Sequence, residues 1–423
     1  MLDIKFIREH KDAMKQVCQA KNIKIDFGRL LMLDEKRRSL IQAAEKMRAE
    51  QKKLGKNDIK KAKELKEKAR PLVEELVDVE SAYNDLMYQV PNIYDPATPV
   101  AKDDSGNKEV EKWGEPTKFD FKPKSHAELG ESLDLIDFER GVKTSGFRGY
   151  YLKNEAVLLH FAMLWHALLK MVDKGFTPML TPTIVREFAL VGSGHFPFGK
   201  DEVYQIANPG KLADGETIKD PAYLAGTSEP SLLAYFADSI LAEKDLPVRV
   251  CGFSPCYRSE VGSYGKDAKG LYRLHEFMKV EQVVFCQADI DESNKWLDQM
   301  CQYSREILEE LKLPYRVLQI CTGDMGAGKY KMYDLETWMP SRNSYGETHS
   351  DSNLTDWQTR RLNIKYKTKN GEKKFAYALN NTVLASPRIL IAVLENYQQK
   401  DGSILVPGVL QKYLPFKEIK VKK

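Results

Sequence analysis

The stretch VRVCGFSPCYRSEVGSYGKDAKGLYRLHEFMKVEQVVFC, residues 248–286, decides the fold of this chain. An apolar run ends at YRSE (257–260), a loop rich in glycine and lysine follows, and the chain returns in a second run that becomes apolar. This order predicts two antiparallel strands joined by a loop. Because residues i and i+2 share one face of a strand, Arg258 and Glu260 are expected to project the same way. The returning strand would place four side chains beside them: Arg273, His275, Phe277 and Glu281.

Length and composition indicate a soluble protein of more than one domain. The chain has 423 residues, of which 42% are hydrophobic, enough for two or three domains. It contains no uncharged apolar run of about 18 residues, and its N-terminus MLDIKFIREHK mixes charges into the apolar positions. We therefore predict a cytoplasmic protein without a membrane partner. The six cysteines are dispersed without a CxxC pair, which predicts buried thiols and neither a disulfide framework nor a zinc site.

Positive charge is concentrated in one segment. Residues 46–70 hold eleven Lys or Arg against four Asp or Glu, a local charge of +7, whereas the whole chain carries +4. Such a basic element predicts a phosphate-bearing partner, and a solvated helix face is an equally good explanation for the charge run alone.

The same region has the apolar spacing of two paired helices. Leu33, Leu40, Met47 and Leu54 recur every seven residues, and from Ala62 to Val90 apolar residues follow at steps of three and four. Two such helices joined by GKND (55–58) predict an antiparallel coiled-coil hairpin over about 28–90. Gly55 and Asp58 are the expected C-terminal stop and N-cap. Pro71 removes a hydrogen bond inside the second helix, so we expect a kink or break near 67–71.

Clusters of proline and glycine predict the domain boundaries. VPNIYDPATPV (90–100) ends the hairpin, and a polar segment follows. We assign residues 1–100 to an N-terminal domain, 101–123 to a linker and 124–423 to an α+β domain with a mostly antiparallel sheet flanked by helices.

Two segments have spacings suited to nucleotide binding. GDMGAGKY (323–330) matches a P-loop except that Tyr330 replaces the hydroxyl residue that coordinates magnesium, and no βαβ repeats surround it. We interpret its glycines as loop residues. In the YRSE segment an arginine can bind an α-phosphate, Glu260 can accept from an adenine amino group, and Phe277 can stack on the ring. A pair of salt-bridged surface strands would contain the same residues.

The stretch YRSEVGSYGKDAKGLYRLHEFMKVE resembles motif 2 of class II aminoacyl-tRNA synthetases, in the version of the bacterial-type seryl-tRNA synthetase family. GFTPMLTPTIV (175–185), with Pro182, resembles motif 1, and LNNTVLASPRILIAVLENYQ, with Arg388, resembles motif 3. TSE (227–229) and GETHSDSNLTDWQTRR (346–361) also match that family. The resemblance extends to the N-terminal hairpin, which in this family binds the long variable arm of the tRNA.

The resemblance implies an enzyme that activates L-serine with ATP and Mg²⁺ and transfers serine to tRNA(Ser), and also to tRNA(Sec). It further implies a homodimer, through motif 1, and no zinc. The implied catalytic residues are Arg258, Glu260 and Arg388. The implied ATP-binding residues are Arg258, Ser259, Glu260, Arg273, Phe277, Glu347, Thr348, His349, Ser350 and Arg388, with Glu347 and Ser350 holding Mg²⁺. The implied serine-binding residues are Thr227, Ser228, Glu229, Arg258, Glu281, Asn380 and Thr382.

Three departures from the family pattern affect local geometry. His349 and Asp351 replace residues that are more often small or apolar, GFRG (146–149) differs from the common run, and Pro71 interrupts the hairpin.

Alternative functions remain open from the sequence. A related ligase that forms aminoacyl adenylates for another acceptor would typically lack the hairpin. A non-catalytic tRNA-binding paralogue would not need Arg258, Glu260, Glu281, Glu347 and Arg388 together. A P-loop NTPase would lose ATP use on substitution of Lys329.

Overall fold

The computed structural model describes residues 1–54, 58–208, 210–211, 213–216, 218–261 and 270–421. Gly55 and most of the loop that follows YRSE therefore lie outside the described residues. The described chain forms two compact units, Met1–Ile93 and Tyr94–Lys423.

The first unit is helical. Its helices are α1 (Ile4–Glu9), α2 (Lys11–Ala20), α3 (Phe27–Lys52) and α4 (Ile59–Gln89). Asp26 caps α3 by accepting a 2.9 Å hydrogen bond from the Arg29 amide, and Asp58 occupies the N-cap position of α4 as predicted. Helices α3 and α4 pack along each other, with Leu33 and Leu40 of α3 buried. The predicted helical hairpin is therefore present.

Helix α4 runs without a break through Pro71, so the predicted break does not occur. Residues on the C-terminal side of Pro71 bind α3. The Lys36 ammonium lies 2.6 Å from the Glu75 carboxylate, and Arg37 Nε donates to Glu80 Oε1 over 3.0 Å. Burial of Val79 and Tyr83 adds apolar contact along the same face. Packing against a partner helix offsets the local cost of the proline, as most helical stability in proteins comes from such packing.

The second unit is an α+β domain, as predicted. Its helices are α5 (His126–Ser132), α6 (Phe138–Ser145), α7 (Glu155–Asp173), α8 (Glu187–Ser193), α9 (Glu229–Tyr235), α10 (Ile290–Glu310), α11 (Trp357–Arg361) and α12 (Arg388–Asn396). Its strands are β1 (Lys108–Trp113), β2 (Ile136–Asp137), β3 (Tyr151–Leu152), β4 (Thr177–Leu180), β5 (Ile184–Arg186), β6 (Ala222–Leu224), β7 (Ile240–Ala242), β8 (Val248–Tyr257), β9 (Glu276–Cys286), β10 (Tyr315–Gln319), β11 (Lys331–Met339), β12 (Ser344–Asn353), β13 (Lys365–Lys367), β14 (Lys373–Phe375), β15 (Tyr377–Ser386), β16 (Ile404–Leu405) and β17 (Glu418–Ile419).

An eight-stranded sheet organises this unit, with strand order β1-β10-β11-β12-β15-β9-β8-β4. Every neighbouring pair is antiparallel except β4 and β8, which run parallel at one edge. Strands β8 and β9 pair from Val248↔Phe285 to Tyr257↔Glu276, which confirms the predicted antiparallel pair.

Strand β1 corrects the predicted linker. Residues 101–123 were expected to connect two domains, but Lys108–Trp113 pair with β10 as the other edge of the sheet. The segment KEVEKW is mostly exposed and highly charged. Charged residues are typical of edge strands because they prevent pairing with other chains, and the same charges make the segment look like a linker in the sequence.

The two faces of the sheet have different environments because side chains alternate along each strand. On one face Gln282 donates to the Met300 carbonyl and Asn381 accepts from Ser304, which places helix α10 over these residues. Helix α7, the one helix of the described chain long and apolar enough to cross a membrane, contributes nine buried residues and packs against β15 and β9. The opposite face carries Glu281 and Thr382.

Two β-bulges interrupt this alternation. Leu335 is opposite His349 and Glu336 is opposite Glu347, so Thr348 is an extra residue in β12. In β15, Thr382 is opposite Glu281 whereas Leu384 is opposite Val280. Val383 is therefore a second extra residue.

A buried carboxylate fixes helix α12, whose first residue is Arg388. Glu395 is fully buried and accepts four hydrogen bonds of 2.8–3.0 Å, from the amides of His126 and Ser341, the imidazole Nδ1 of His126 and the hydroxyl of Ser341. Burial alone would raise the pKa of Glu395, but these hydrogen bonds bring the pKa below its ordinary value. The ionised carboxylate thus joins α5, α12 and the turn after β11.

Replacing Glu395 with Gln should lower the thermal unfolding midpoint most strongly at neutral pH. An amide cannot accept all four donors, and a lost buried hydrogen bond to a charged group is worth about 1.5–3 kcal/mol. Because the folded-state pKa is lowered, the stabilising term is complete above the unfolded-state pKa and disappears as pH falls through the folded-state pKa. The difference between the two midpoints should therefore shrink in acid. A difference that stays constant with pH would contradict this account.

Candidate active site

The YRSE segment lies at the open end of the β8–β9 pair. Strand β8 ends at Tyr257. Arg258 and Glu260 therefore lie after the strand, whereas the sequence predicted that both residues belong to it. Glu260 has a φ of 53°, a left-handed conformation that turns the chain out of the sheet. The Arg258 amide still donates to the His275 carbonyl over 3.0 Å, so the two segments stay paired beyond the strand.

The predicted side chains do meet at this end. The Arg258 guanidinium carbon lies 5.3 Å from the centre of the Phe277 ring, and Arg273 Nη1 donates to Glu260 Oε2 over 3.2 Å. A cation next to an aromatic face is an arrangement that can hold a phosphate and a planar base side by side.

Of these residues, Arg258, Glu260 and Phe277 line one cavity, whereas Arg273 does not. The cavity is lined by predicted site residues from five segments of the chain: Arg258, Glu260, Phe277, Glu347, Thr348, His349, Ser350, Thr382 and Arg388. The sheet brings together residues 130 positions apart in sequence because β9, β15 and β12 are neighbours.

Arg388 is held rigidly at the cavity wall. Its Nε donates to the Tyr272 carbonyl and its Nη1 to the Glu347 carbonyl, over 3.2 and 3.0 Å. The guanidinium carbon also lies 4.5 Å from the centre of the Tyr272 ring. A guanidinium fixed in this way presents a flat cationic surface on which a nucleobase can stack.

One end of the cavity is rich in carboxylates. The Glu347 carboxylate lies 3.3 Å from Arg388 Nη1, and Asp334 of β11 is opposite Ser350. Burial and the charge of Glu347 raise the pKa of Asp334 well above its ordinary value. A cation at this end would relieve the repulsion between the two carboxyl groups.

At the other end, Lys279 and Thr382 of the cavity wall belong to a buried polar cluster around Glu281. The Lys279 ammonium forms an ion pair with the Glu281 carboxylate, and the Thr382 hydroxyl donates to Glu281 Oε2 over 3.3 Å. Burial raises the pKa of Glu281, and the charge of Lys279 opposes that rise. Sequence reasoning missed Lys279. The signal was available, because Lys279 is two residues before Glu281 and shares its face of β9.

Asn380 lies on the same face of β15 as Thr382 and is buried. Its register position is opposite Val283 on one side and Ser352 on the other. The structure thus places this residue next to the Glu281 cluster.

Glu229 lies at the first turn of α9 and lines a neighbouring cavity with His195, Lys329 and Trp357. Glu229 Oε1 accepts a 2.6 Å hydrogen bond from Gln358, and the Glu229 amide binds the Thr227 hydroxyl. Burial alone would raise the pKa of this carboxyl. The charges of Lys329 and His195 and the bond from Gln358 bring the pKa below its ordinary value. Lys329, the lysine of the P-loop-like segment, therefore belongs to the surroundings of a carboxylate.

Four predicted residues direct their side chains to the protein itself. The Ser259 hydroxyl donates to the Asp201 carbonyl over 2.7 Å, and Ser228 faces the Gly252 carbonyl. The side chains of Thr348 and His349 bind each other and neighbouring strands. These residues can offer backbone groups to a ligand.

Comparison with known proteins gives the family. A family model described as the seryl-tRNA synthetase N-terminal domain matches residues 1–94, and one described as the tRNA synthetase class II core domain (G, H, P, S and T) matches residues 212–397. The serine–tRNA ligase of Deinococcus radiodurans is 43% identical to this chain over 430 residues, covering 99% of each. The chain belongs to the seryl-tRNA synthetase family.

Solved structures agree with this assignment. The seryl-tRNA synthetase of Pyrococcus horikoshii complexed with ATP superposes with a TM-score of 0.86 at 35% identity, covering 100% of both chains. The cytoplasmic serine–tRNA ligase of Naegleria fowleri in complex with AMP gives a TM-score of 0.85 at 30% identity, covering 100% of this chain and 99% of the other. The family, the class II fold and the enzyme class, serine–tRNA ligase, were thus predicted correctly.

A substitution of Lys329 distinguishes two roles: ATP binding by residues 323–330, and placement of a positive charge beside Glu229. Replacing Lys329 with Met should raise the KM for serine several-fold and leave the KM for ATP unchanged, because Lys329 favours the ionised form of Glu229. Loss of this charge raises the pKa of Glu229, so the effect on serine binding should grow as pH falls.

The check is steady-state ATP–pyrophosphate exchange with each substrate varied at neutral and mildly acidic pH. Lys331→Met, two residues away on β11, is the matched control and should leave both KM values unchanged. A selective rise in the KM for ATP would contradict the assignment of Lys329 to the surroundings of Glu229.

Proposed function

We propose that the main cavity binds ATP and L-serine side by side and forms seryl-adenylate. Arg258 would contact the α-phosphate and the serine carboxylate, Glu260 the adenine amino group, and Arg273 the terminal phosphates. Phe277 and Arg388 would hold the adenine ring between them. The observation that carries this proposal is the convergence of Arg258, Phe277, Glu347, Thr382 and Arg388 on one cavity.

The reaction requires that both substrates are positioned and that the phosphate charge is neutralised, and it does not require a covalent nucleophile. A carboxylate attacks the α-phosphate in line while pyrophosphate leaves, so the site must hold both reactants rigidly and neutralise the phosphates. Arg258 is anchored by its Nε–Gly226 carbonyl bond of 3.2 Å and by its amide bond to His275. Such anchoring keeps the guanidinium in place before the substrate arrives.

Mg²⁺ fits the carboxylate end of the cavity. Glu347 would bind it directly with Ser350, and Asp334 Oδ1, which is buried without a hydrogen-bond partner in the described chain, lies next to both. Among the described residues no group of three His, Cys, Asp or Glu side chains is placed to hold a metal. Mg²⁺ characteristically takes one or two carboxylates together with substrate phosphates, which suits this donor set. Bound Mg²⁺ would neutralise the terminal phosphates.

Selection of serine would come from the Glu281 cluster. The serine hydroxyl would bind Glu281 and Thr382, with Asn380 beside them, and the ammonium group would bind Glu229 and Thr227. Alanine would leave these buried groups without partners, which is a strong basis for rejection. Threonine differs by one methyl group, and its exclusion by packing alone is worth about 1–3 kcal/mol.

The N-terminal unit would bind tRNA(Ser), and by the same shape recognition tRNA(Sec). All described Lys and Arg side chains of residues 46–70 are exposed. Backbone phosphates of a structured RNA are bound by such charge, whereas the shape of the RNA provides discrimination. We accordingly propose residues 1–100 as the tRNA-binding domain and the chain from residue 124 as the catalytic domain, which β1 extends at its sheet edge.

A homodimer would form through the region that resembles motif 1. Leu180 and Ile184, on either side of Pro182, are 81% and 60% exposed, and Phe161 and Trp165 of α7 are also exposed. Large apolar side chains exposed together are typical of protein interfaces. We place the enzyme in the cytoplasm, where its substrates are.

Serine-dependent ATP–pyrophosphate exchange tests the proposal. Among the twenty amino acids serine alone should drive exchange in the presence of Mg²⁺ and without tRNA. Replacing Arg258 with Ala should abolish exchange. Replacing Glu281 with Gln should reduce kcat/KM for serine by roughly 100-fold, since the buried Lys279 ammonium loses its ion-pair partner and the serine hydroxyl loses a charged acceptor.

A variant with fewer positive charges on the helical hairpin separates serine activation from the transfer of serine to tRNA. Replacing the exposed Lys60, Lys61 and Lys63 with Gln should leave exchange unchanged and weaken transfer of serine to tRNA. The difference from wild type should be largest at low salt, because a variant with fewer phosphate contacts depends less on salt. Exchange driven by another amino acid would overturn the serine assignment, and no exchange with any amino acid would overturn the catalytic function.

A further inference from the structure

The two bulged strands beside the cavity separate from each other, and one imidazole crosses the gap. Strands β12 and β15 pair at Asn353↔Leu379, Ser352↔Asn380 and Asp351↔Asn381. The same register would place Ser350 opposite Thr382 and then His349 opposite Val383, but the ladder ends before these positions. The Nε2 atom of His349 lies 3.1 Å from the Val383 carbonyl oxygen. The side chain thus supplies a link where the backbone ladder stops.

The protonation state of this imidazole follows from its partners. The Val383 carbonyl can only accept, so Nε2 carries the proton and donates. Nδ1 then accepts from the Thr348 hydroxyl over 2.8 Å, and that oxygen can in turn accept from the Thr337 hydroxyl over 2.7 Å. All four residues are at most 2% exposed. One chain of hydrogen bonds therefore runs from β11 through β12 to β15.

This chain includes the extra residues of both bulges, Thr348 of β12 and Val383 of β15. Each bulge lies between two cavity residues that are three positions apart. Glu347 and Ser350 flank Thr348, and Thr382 and Ala385 flank Val383. Residues three apart in a regular strand point to opposite faces, and one extra residue brings them to the same face.

We propose that His349 is a positioning residue that locks the two bulges together, so that the metal-and-phosphate end and the serine end of the cavity keep a fixed distance. His349 does not contact the substrates through its side chain. It acts through Glu347 and Ser350 on one strand and Thr382 on the other. This inference rests on the proposed adenylation function and concerns the same cavity.

The test compares three substitutions in the full-length protein by ATP–pyrophosphate exchange, varying serine and ATP separately. His349→Phe keeps a ring but removes the hydrogen bond from Nε2 to the buried Val383 carbonyl and the hydrogen bond between Nδ1 and the Thr348 hydroxyl. It should reduce kcat/KM for serine and for ATP by tenfold or more, on the order expected for unpaired buried polar groups. His349→Gln keeps an amide donor for Val383 and should stay within about threefold of wild type on the same grounds.

His166→Phe is the matched control for loss of a buried histidine. His166 of α7 is hydrogen-bonded to Glu310 of α10 over 2.8 Å. It does not line the cavity. Its replacement should lower the thermal midpoint without changing either KM. A purely structural role for His349 would make His349→Phe behave like this control.

The outcomes are distinct. If His349→Phe folds and has wild-type kinetics, the positioning role alone is overturned. If the wild-type enzyme shows no serine-dependent exchange, the proposed function is overturned and the positioning role with it. If His349→Phe does not fold, Thr348→Val decides, since it removes the hydroxyl at one bulge and keeps the volume. Reduced kcat/KM for both substrates in folded Thr348→Val supports the proposal, and unchanged values overturn it.

Discussion

A β-strand alternates its side chains between two faces, and the cavity of this enzyme needs residues three apart on one face. Glu347 with Ser350, and Thr382 with Ala385, satisfy this need because one extra residue is inserted between the members of each pair. The sheet order then places β15 between β12 and β9, and β9 carries Phe277, Lys279 and Glu281. The arrangement of the proposed nucleotide and amino-acid sites depends on these two local departures from regular pairing.

Electrostatics divides the cavity into two ends with different requirements. At the carboxylate end, burial and the charge of Glu347 raise the pKa of Asp334, and the cation of the proposed function would relieve this repulsion. At the other end, the ion pair with Lys279 compensates the buried Glu281 carboxylate, to which the proposed function assigns the serine hydroxyl. Glu229 has a lowered pKa because of nearby positive charge, which suits a carboxylate that binds an ammonium group at neutral pH.

Much of the fold and of the candidate site could be predicted from the sequence, and each wrong or missing prediction has a physical cause. The β8–β9 pair and the helical hairpin were predictable because apolar periodicity directly reflects burial. The strand at 108–113 was hidden, since an exposed edge strand carries charges like a linker, and continuity through Pro71 depended on packing against α3. Lys279 and Lys329 were missed as site residues because their importance arises from carboxylates that only the folded sheet brings near them. The bulges at Thr348 and Val383 leave no compositional signal, although the adjacent histidine was noticed as unusual.

A crystal structure with a non-hydrolysable seryl-adenylate analogue would test the central claim most directly. The account predicts adenine between Phe277 and Arg388, the phosphate at Arg258 and the serine hydroxyl at Glu281 and Thr382, with the His349–Val383 hydrogen bond intact. Adenine bound instead in the neighbouring cavity by His195 and Trp357, or a serine side chain directed away from Glu281, would contradict it.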